Sequence, residues 1–122
     1  MSAVGLWLGV MLIGGVGSVC RFMVDRAVAR RAARSFPFGT LTVNIAGAVL
    51  LGFITGLALP HHTALLAGIA FVGAYTTFST WMFETQRLTE ERQIGPAVAN
   101  VVISVVLGIA AAAAGQSLAG AL

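Results

Sequence analysis

Three stretches of the chain, Met1 to Cys20, Ser35 to Phe83 and Gln93 to Leu122, contain no charged side chain. Nothing else in the sequence restricts the fold as much. A small soluble domain leaves a large share of its surface in water, and stretches this long hold too few polar groups to cover such a surface. The composition agrees: 58% of the residues are hydrophobic and 9% are charged, whereas roughly a quarter are charged in soluble domains. The 122 residues are accordingly expected to form a single all-α integral membrane domain, residues 1–122.

A helix crosses the hydrocarbon core with about 20 apolar residues. This predicts spans at approximately 4–23, 40–59, 63–83 and 96–118. LPHH at 59–62 divides the longest uncharged stretch, and Pro96 suits a helix start, where its missing N–H costs nothing. The N-terminus has neither the basic run nor the small-residue cleavage site of a secretory signal, so the first helix is expected to be retained. A single cysteine, Cys20, excludes an intrachain disulfide and is expected to be small apolar filler.

All seven basic residues are arginines. Arg21, Arg26, Arg30, Arg31 and Arg34 flank or fill the first connection, and Arg87 and Arg92 occupy the third. With four spans, those two connections share one side. Both termini and the His61–His62 turn share the other, which holds no basic residue. Arginine-rich loops stay in the cytoplasm, so both termini are predicted to lie outside it. The net charge of +3 is no nucleic-acid signal, because each basic residue adjoins an apolar span. RAVARRAAR is read as a topology determinant in preference to a lipid- or nucleic-acid-binding patch.

Thr40 and Asn44 lie four apart on the second predicted helix, and Asn100 and Ser104 four apart on the fourth, so each pair shares a face. Such groups serve as interhelical hydrogen-bond glue, and two aligned tracks of uncharged donors also suit a path for a small anion. No Asp, Glu, Lys or Arg falls in the middle of a span, where a proton-coupled pump needs one. Glu84 ends the third span and Asp25 follows the first. Gly52 with Gly56, and Gly5 with Gly9, form GxxxG pairs of the kind that let membrane helices approach closely.

GAYTTFSTWMFE, residues 73–84, crowds hydroxyls around one phenylalanine inside an apolar region. Thr76 and Thr77 are poor helix formers, so the third helix is expected either to break here or to continue with its hydroxyls bonded back to its own carbonyls. A break at membrane depth is tolerated where the freed backbone lines a cavity or finds a partner. Its exposed carbonyls are hard oxygen ligands, suited to a cation.

FPFGTLTVNIAG (36–47) and GAYTTFSTWMFE (73–84), with GGVGSVCR at 14–21, resemble the motifs of the Fluc (CrcB) family of bacterial fluoride channels. The likeness extends over nearly the whole chain. It implies a dimer of four-helix subunits, each with a break in the third helix, inserted antiparallel in the bacterial inner (cell) membrane. Two fluoride pores would run along the interface and export fluoride passively, lowering its cytoplasmic concentration; no enzymatic activity is implied. The resemblance further implies a structural sodium ion, not transported, at the dimer centre, held by the backbone carbonyls of Gly73 and Thr76. Phe78 matches a pore phenylalanine, Asn44 a polar pore donor, and Thr40 and Ser104 a polar track. Arg21 matches the signature arginine ending the first helix, and Glu84 the acid after the third-helix motif. Trp81 stands where the family has its second pore phenylalanine, keeping a ring edge and adding an N–H donor. Gly108 replaces a further polar residue.

The partners so implied are fluoride, membrane lipid and a second subunit in reversed orientation. Because the arginines lock one orientation, that subunit is expected to be a paralogue, with a dual-topology homodimer as the alternative. Two other functions fit the size of the chain. A small multidrug-type proton-coupled exporter would need a first-helix glutamate, which is missing. A non-transporting membrane assembly partner would use the glycine-rich helices alone.

Overall fold

The computed structural model describes residues 2–32 and 36–122. Arg34, expected to contribute to the basic side, lies outside the described residues. Four helical segments are long and apolar enough to cross a membrane, and among the described residues there is no strand.

Helix α1 spans Ala3–Arg31. It begins where the Ser2 hydroxyl accepts the Gly5 N–H at 3.0 Å, satisfying one of the donors that a helix start leaves open. At 1.5 Å per residue it is about 43 Å long, more than the roughly 30 Å hydrocarbon core. The span expected at 4–23 is the membrane-crossing part alone, and the helix continues past it to Arg31. Ala27, Ala29 and the arginines of that extension are good helix formers. Arg30 and Arg31 fall in the last turn, where cations favour the helix dipole.

Helix α2 spans Phe38–Gly56 and follows Pro37. A short turn, with Ala58 in the left-handed region at φ 51°, leads to α3 (His61–Ala64), which runs on as a π-wound stretch over Leu65–Val72 and closes with α4 (Gly73–Tyr75). The chain then leaves helical geometry at Thr76, φ −82° and ψ 162°. Helix α5 (Ser79–Glu90) resumes the third span, and α6 (Ile94–Gly120) forms the fourth. Pro96 lies two residues inside α6 rather than at its first position. Its lack of an N–H is still harmless, since the first four N–H groups have no partner within the helix.

The most extensive packing joins α2 to α6, while α1 lies against the π-wound stretch, α2 and α4, and α5 lies against α6. The fully buried interior is thin: Val43, Leu88 and Asn100 are its largest members. Large apolar side chains such as Met11, Leu12, Phe22, Ile69 and Ile109 are exposed instead, as lipid or a partner subunit permits. A cavity of about 100 Å³ is lined by Asp25 and Ala29 of α1, Phe38 and Gly39 of α2, and Glu84 and Arg87 of α5. It places the arginine-bearing ends of α1 and α5 at one end of the bundle. The chain is a multi-pass membrane protein.

Candidate functional site

The break after Tyr75 is built by hydrogen bonds that divert backbone donors from the helix ladder. In a continuous helix the Thr77 N–H would donate to the Gly73 carbonyl. Here it donates to Asn44 Oδ1 at 2.9 Å, and Asn44 Nδ2 donates to the Thr77 carbonyl at 2.9 Å. The Thr80 N–H, which would donate to the Thr76 carbonyl, instead donates to Thr77 Oγ1 at 3.2 Å. The interruption leaves the carbonyls of residues 73 to 76 without their ladder donors, those of Gly73 and Thr76 among them. Breaking and back-bonding, set out as alternatives on the sequence, coexist: Thr76 Oγ1 donates to the Val72 carbonyl at 3.0 Å, yet the helix ends there.

Asn44, expected as a polar pore donor, is partly committed to the break. Its carbonyl oxygen and one of its two N–H donors are bonded to Thr77. Thr40 is expected on the same polar track. It is buried, and its hydroxyl donates to Glu84 Oε1, so two residues matched to separate family positions form one pair across α2 and α5.

Phe78 caps the start of α5 and is 69% exposed. Its ring meets that of Trp81 edge-on, with centroids 5.7 Å apart and planes at 82°. The expected extra donor on Trp81 is already used, because its Nε1 donates to the Asn100 carbonyl at 3.1 Å. Asn44, Thr76, Thr77, Phe78 and Trp81 together line an open concavity of about 310 Å³. Arg21 and Thr40 lie elsewhere, in a cavity of about 190 Å³ shared with Asp25, Val43, Thr77 and Thr80. Thr77 borders both. Gly73 and Thr76 face a third, apolar hollow between α2 and the π-wound stretch, about 540 Å³ in volume. The Ser104 hydroxyl is buried and has no hydrogen-bond partner among the described residues, and it lines none of these three hollows. A Cβ on Gly108 would meet nothing.

The sequence did not single out Thr85, named Thr77 only as a poor helix former, and placed Asn100 on a polar helix face without naming its partners. A partnership such as Asn44 with Thr77 spans 33 residues and leaves no local spacing by which to find it.

The chain is similar to proteins of several bacteria. It is 72% identical over 116 residues, 95% of this chain and 92% of the relative, to the fluoride-specific ion channel FluC 2 of Mycobacterium tuberculosis. Identity is 71% over 119 residues, 98% of each chain, to FluC 2 of Mycolicibacterium paratuberculosis. To FluC 1 of Nocardia farcinica it is 43% over 112 residues, 91% of this chain and 79% of the relative. The model of the family described as CrcB-like protein, Camphor Resistance (CrcB), matches residues 8–116, and the chain belongs to that family.

Proposed function

We propose that the chain is one subunit of a fluoride-selective channel through which fluoride leaves the cytoplasm passively. The observation that carries this is the Asn44–Thr77 pairing. It keeps the third span open at membrane depth, with Phe78 and the released carbonyls on the same short segment. Fluoride is a small anion that sheds water reluctantly. A ring edge carries partial positive charge, and Phe78 and the spare Asn44 N–H offer weak, uncharged donors that let the ion pass without trapping it. The relatives named as fluoride-specific ion channels support the identity of the ion.

The broken segment also fits a structural sodium ion. Gly73 and Thr76 would hold it through the carbonyls that lost their ladder donors, and hard oxygen ligands of this kind suit a hard cation. A bound ion there would satisfy backbone carbonyls that the break leaves without donors. Thr40, Ser104 and the Phe78–Trp81 pair belong to the fluoride path in this proposal, while Arg21 and Glu84 have topological and structural roles.

A negative-inside potential supplies the driving force, about 2.3 kcal/mol per charge per 100 mV, or roughly a fifty-fold gradient. Neither nucleotide nor proton carrier is required. The purified chain reconstituted in liposomes together with its partner subunit tests this directly. Fluoride efflux without a proton gradient is the expected result. Efflux that requires such a gradient points to an exporter, and no efflux from any assembled form points to a scaffold.

The partner in the membrane is a second family subunit of opposite orientation, and we take it to be a paralogue. With arginine at one end only, this chain inserts with both termini outside the cytoplasm of the bacterial cell membrane. Relatives carrying the numbers 1 and 2 fit a family whose members occur as more than one copy. Tagging the C-terminus and measuring its accessibility in cells tests the orientation. An equal split of inside and outside tags, with fluoride flux from the chain expressed alone, would instead establish a homodimer.

A further inference from the structure

Asn100 is completely buried, with 0% of its surface accessible. Burying an amide at a helix seam is costly unless its groups are paired, and the pairing here is one-sided. Nδ2 donates to Thr85 Oγ1 at 2.9 Å and lies 3.5 Å from the Trp81 carbonyl. Thr85 Oγ1 in turn donates to that same Trp81 carbonyl at 2.9 Å. The Asn100 carbonyl accepts the Trp81 indole N–H at 3.1 Å. Oδ1 has no partner among the described residues. The donor side of the amide therefore explains its position: it ties α6 to Thr85 and to the Trp81 backbone, and the backbone carbonyl of the same residue is thereby set against the indole N–H.

We infer that Asn100 is a positioning residue that fixes the Trp81 ring and, through it, the selectivity of the fluoride path. This rests on the channel function proposed above. The network grips Trp81 at both ends, by its backbone carbonyl and by its indole nitrogen. A tryptophan so held cannot rotate its N–H toward the concavity. Its ring stands beside Phe78 at 82° to that ring, with the N–H turned to Asn100. A freely rotating indole would offer a strong N–H donor to any halide and would vary the width of the passage. The fixed ring gives a weak donor and a constant width, which favours the smaller ion.

Trp81 and Trp7 are the two tryptophans of the chain, so Trp7→Phe leaves Trp81 as the only indole reporter. In that background Asn100→Leu keeps the volume but removes the amide that ties α6 to Thr85 and to the Trp81 backbone, and so releases the placement of its own backbone carbonyl against the indole. The expected results are a shifted Trp81 emission maximum and a fluoride-to-chloride flux ratio lowered about fivefold, within the range of coupled residues. With Trp81→Phe added, the same Asn100→Leu change should alter the ratio less than about twofold, because the residue through which it acts is gone. Unchanged emission, or an equal loss of selectivity in both backgrounds, overturns the inference. Should Asn100→Leu fail to assemble, Thr85→Val removes the acceptor of the amide and is judged by the same two readouts. Failure of the channel function itself is read separately, as absence of fluoride flux from the assembled parent protein. That result would overturn the selectivity role, while the emission shift decides the positioning.

Discussion

Glycine has opposite uses in two regions of this molecule. At the seam between α2 and α6 it brings backbones together: a Cβ on Gly52 would lie 2.0 Å from the Ala112 carbonyl oxygen, and one on Gly115 would lie 2.0 Å from that of Val49. At the third-span break, Gly73 is exposed and an added Cβ would meet nothing within 4 Å. The seam is complete within one chain. Its contacts are between backbones, which cannot move aside as a flexible side chain can, and dispersion rather than hydrophobicity drives such packing in lipid. The break presents freed carbonyls, an exposed Phe78 and an unfilled glycine. In the proposed dimer it would be half a site that a second subunit finishes.

The sharpest way to break the comparison is at the seam. Gly115→Val puts a branched side chain into the Val49 carbonyl and the Phe53 amide. Overpacking costs typically 1–3 kcal/mol, and a clash with backbone on both sides belongs at or above about 3 kcal/mol. The expected outcome is loss of folded protein in detergent, read by size exclusion and thermal melting, before any question of transport arises. A well-folded Gly115→Val chain would mean that the two helices are not in backbone contact.

Gly73→Leu comes next. Since nothing in the chain occupies that space, the subunit should fold with nearly normal stability, yet the dimer and all fluoride flux should be lost. Cross-linking and liposome efflux measure the two effects. Intact dimers with normal flux would show that this face of the break is not shared.

The two regions also differ in how far the sequence revealed them. The GxxxG spacing of Gly52 and Gly56 pointed to close helix packing, and both do pack on α6, Gly56 against Ala119 and Gln116. TTFST located the break to within a residue or two, because hydroxyl-bearing, poorly helical residues are conspicuous in an apolar span. What sequence could not give was the means by which the break stays open. Asn44 was legible as polar, but its partner is a backbone 33 positions away. Trp81 was legible as a departure from the family pattern, while the fate of its N–H depends on how α5 meets α6. The π winding of Leu65–Val72 has no signature in LLAGIAFV, which reads as any apolar helix.

Asn44→Ala separates the making of the break from its use. The substitution removes two hydrogen bonds and strands the Thr77 N–H in a partly buried place. Leaving such a donor unpaired costs about 1–3 kcal/mol, so stability and conduction should fall together, with flux down about tenfold or more if the barrier rises by a similar energy. Asn44→Asp keeps the acceptor for Thr77 N–H but loses the donor to its carbonyl, and should retain more of the fold than the alanine variant. If Asn44→Ala lowers flux with an unchanged melting temperature, its spare N–H matters to the ion and its bonds to Thr77 do not hold the break.

The smallest effect is expected at Thr76, although it lies at the centre of the break. Its hydroxyl donates to the Val72 carbonyl and so faces back along its own helix, whereas the proposed ligand to sodium is its carbonyl. At φ −82° and ψ 162° the backbone is extended, a conformation that branched side chains favour. Valine also keeps the methyl group that packs opposite Gly47, where an added Cβ would come within 2.2 Å of Thr76 Cγ2. Thr76→Val should therefore lose only the one hydrogen bond, about 0.5–1.5 kcal/mol, and should conduct within about twofold of the parent, in the range expected where the binding group is untouched. Measuring flux with sodium and with a larger cation such as N-methyl-D-glucamine in its place decides the matter. If valine at position 76 abolishes the sodium dependence while the dimer persists, the hydroxyl is itself a ligand and a site made of carbonyls alone is wrong.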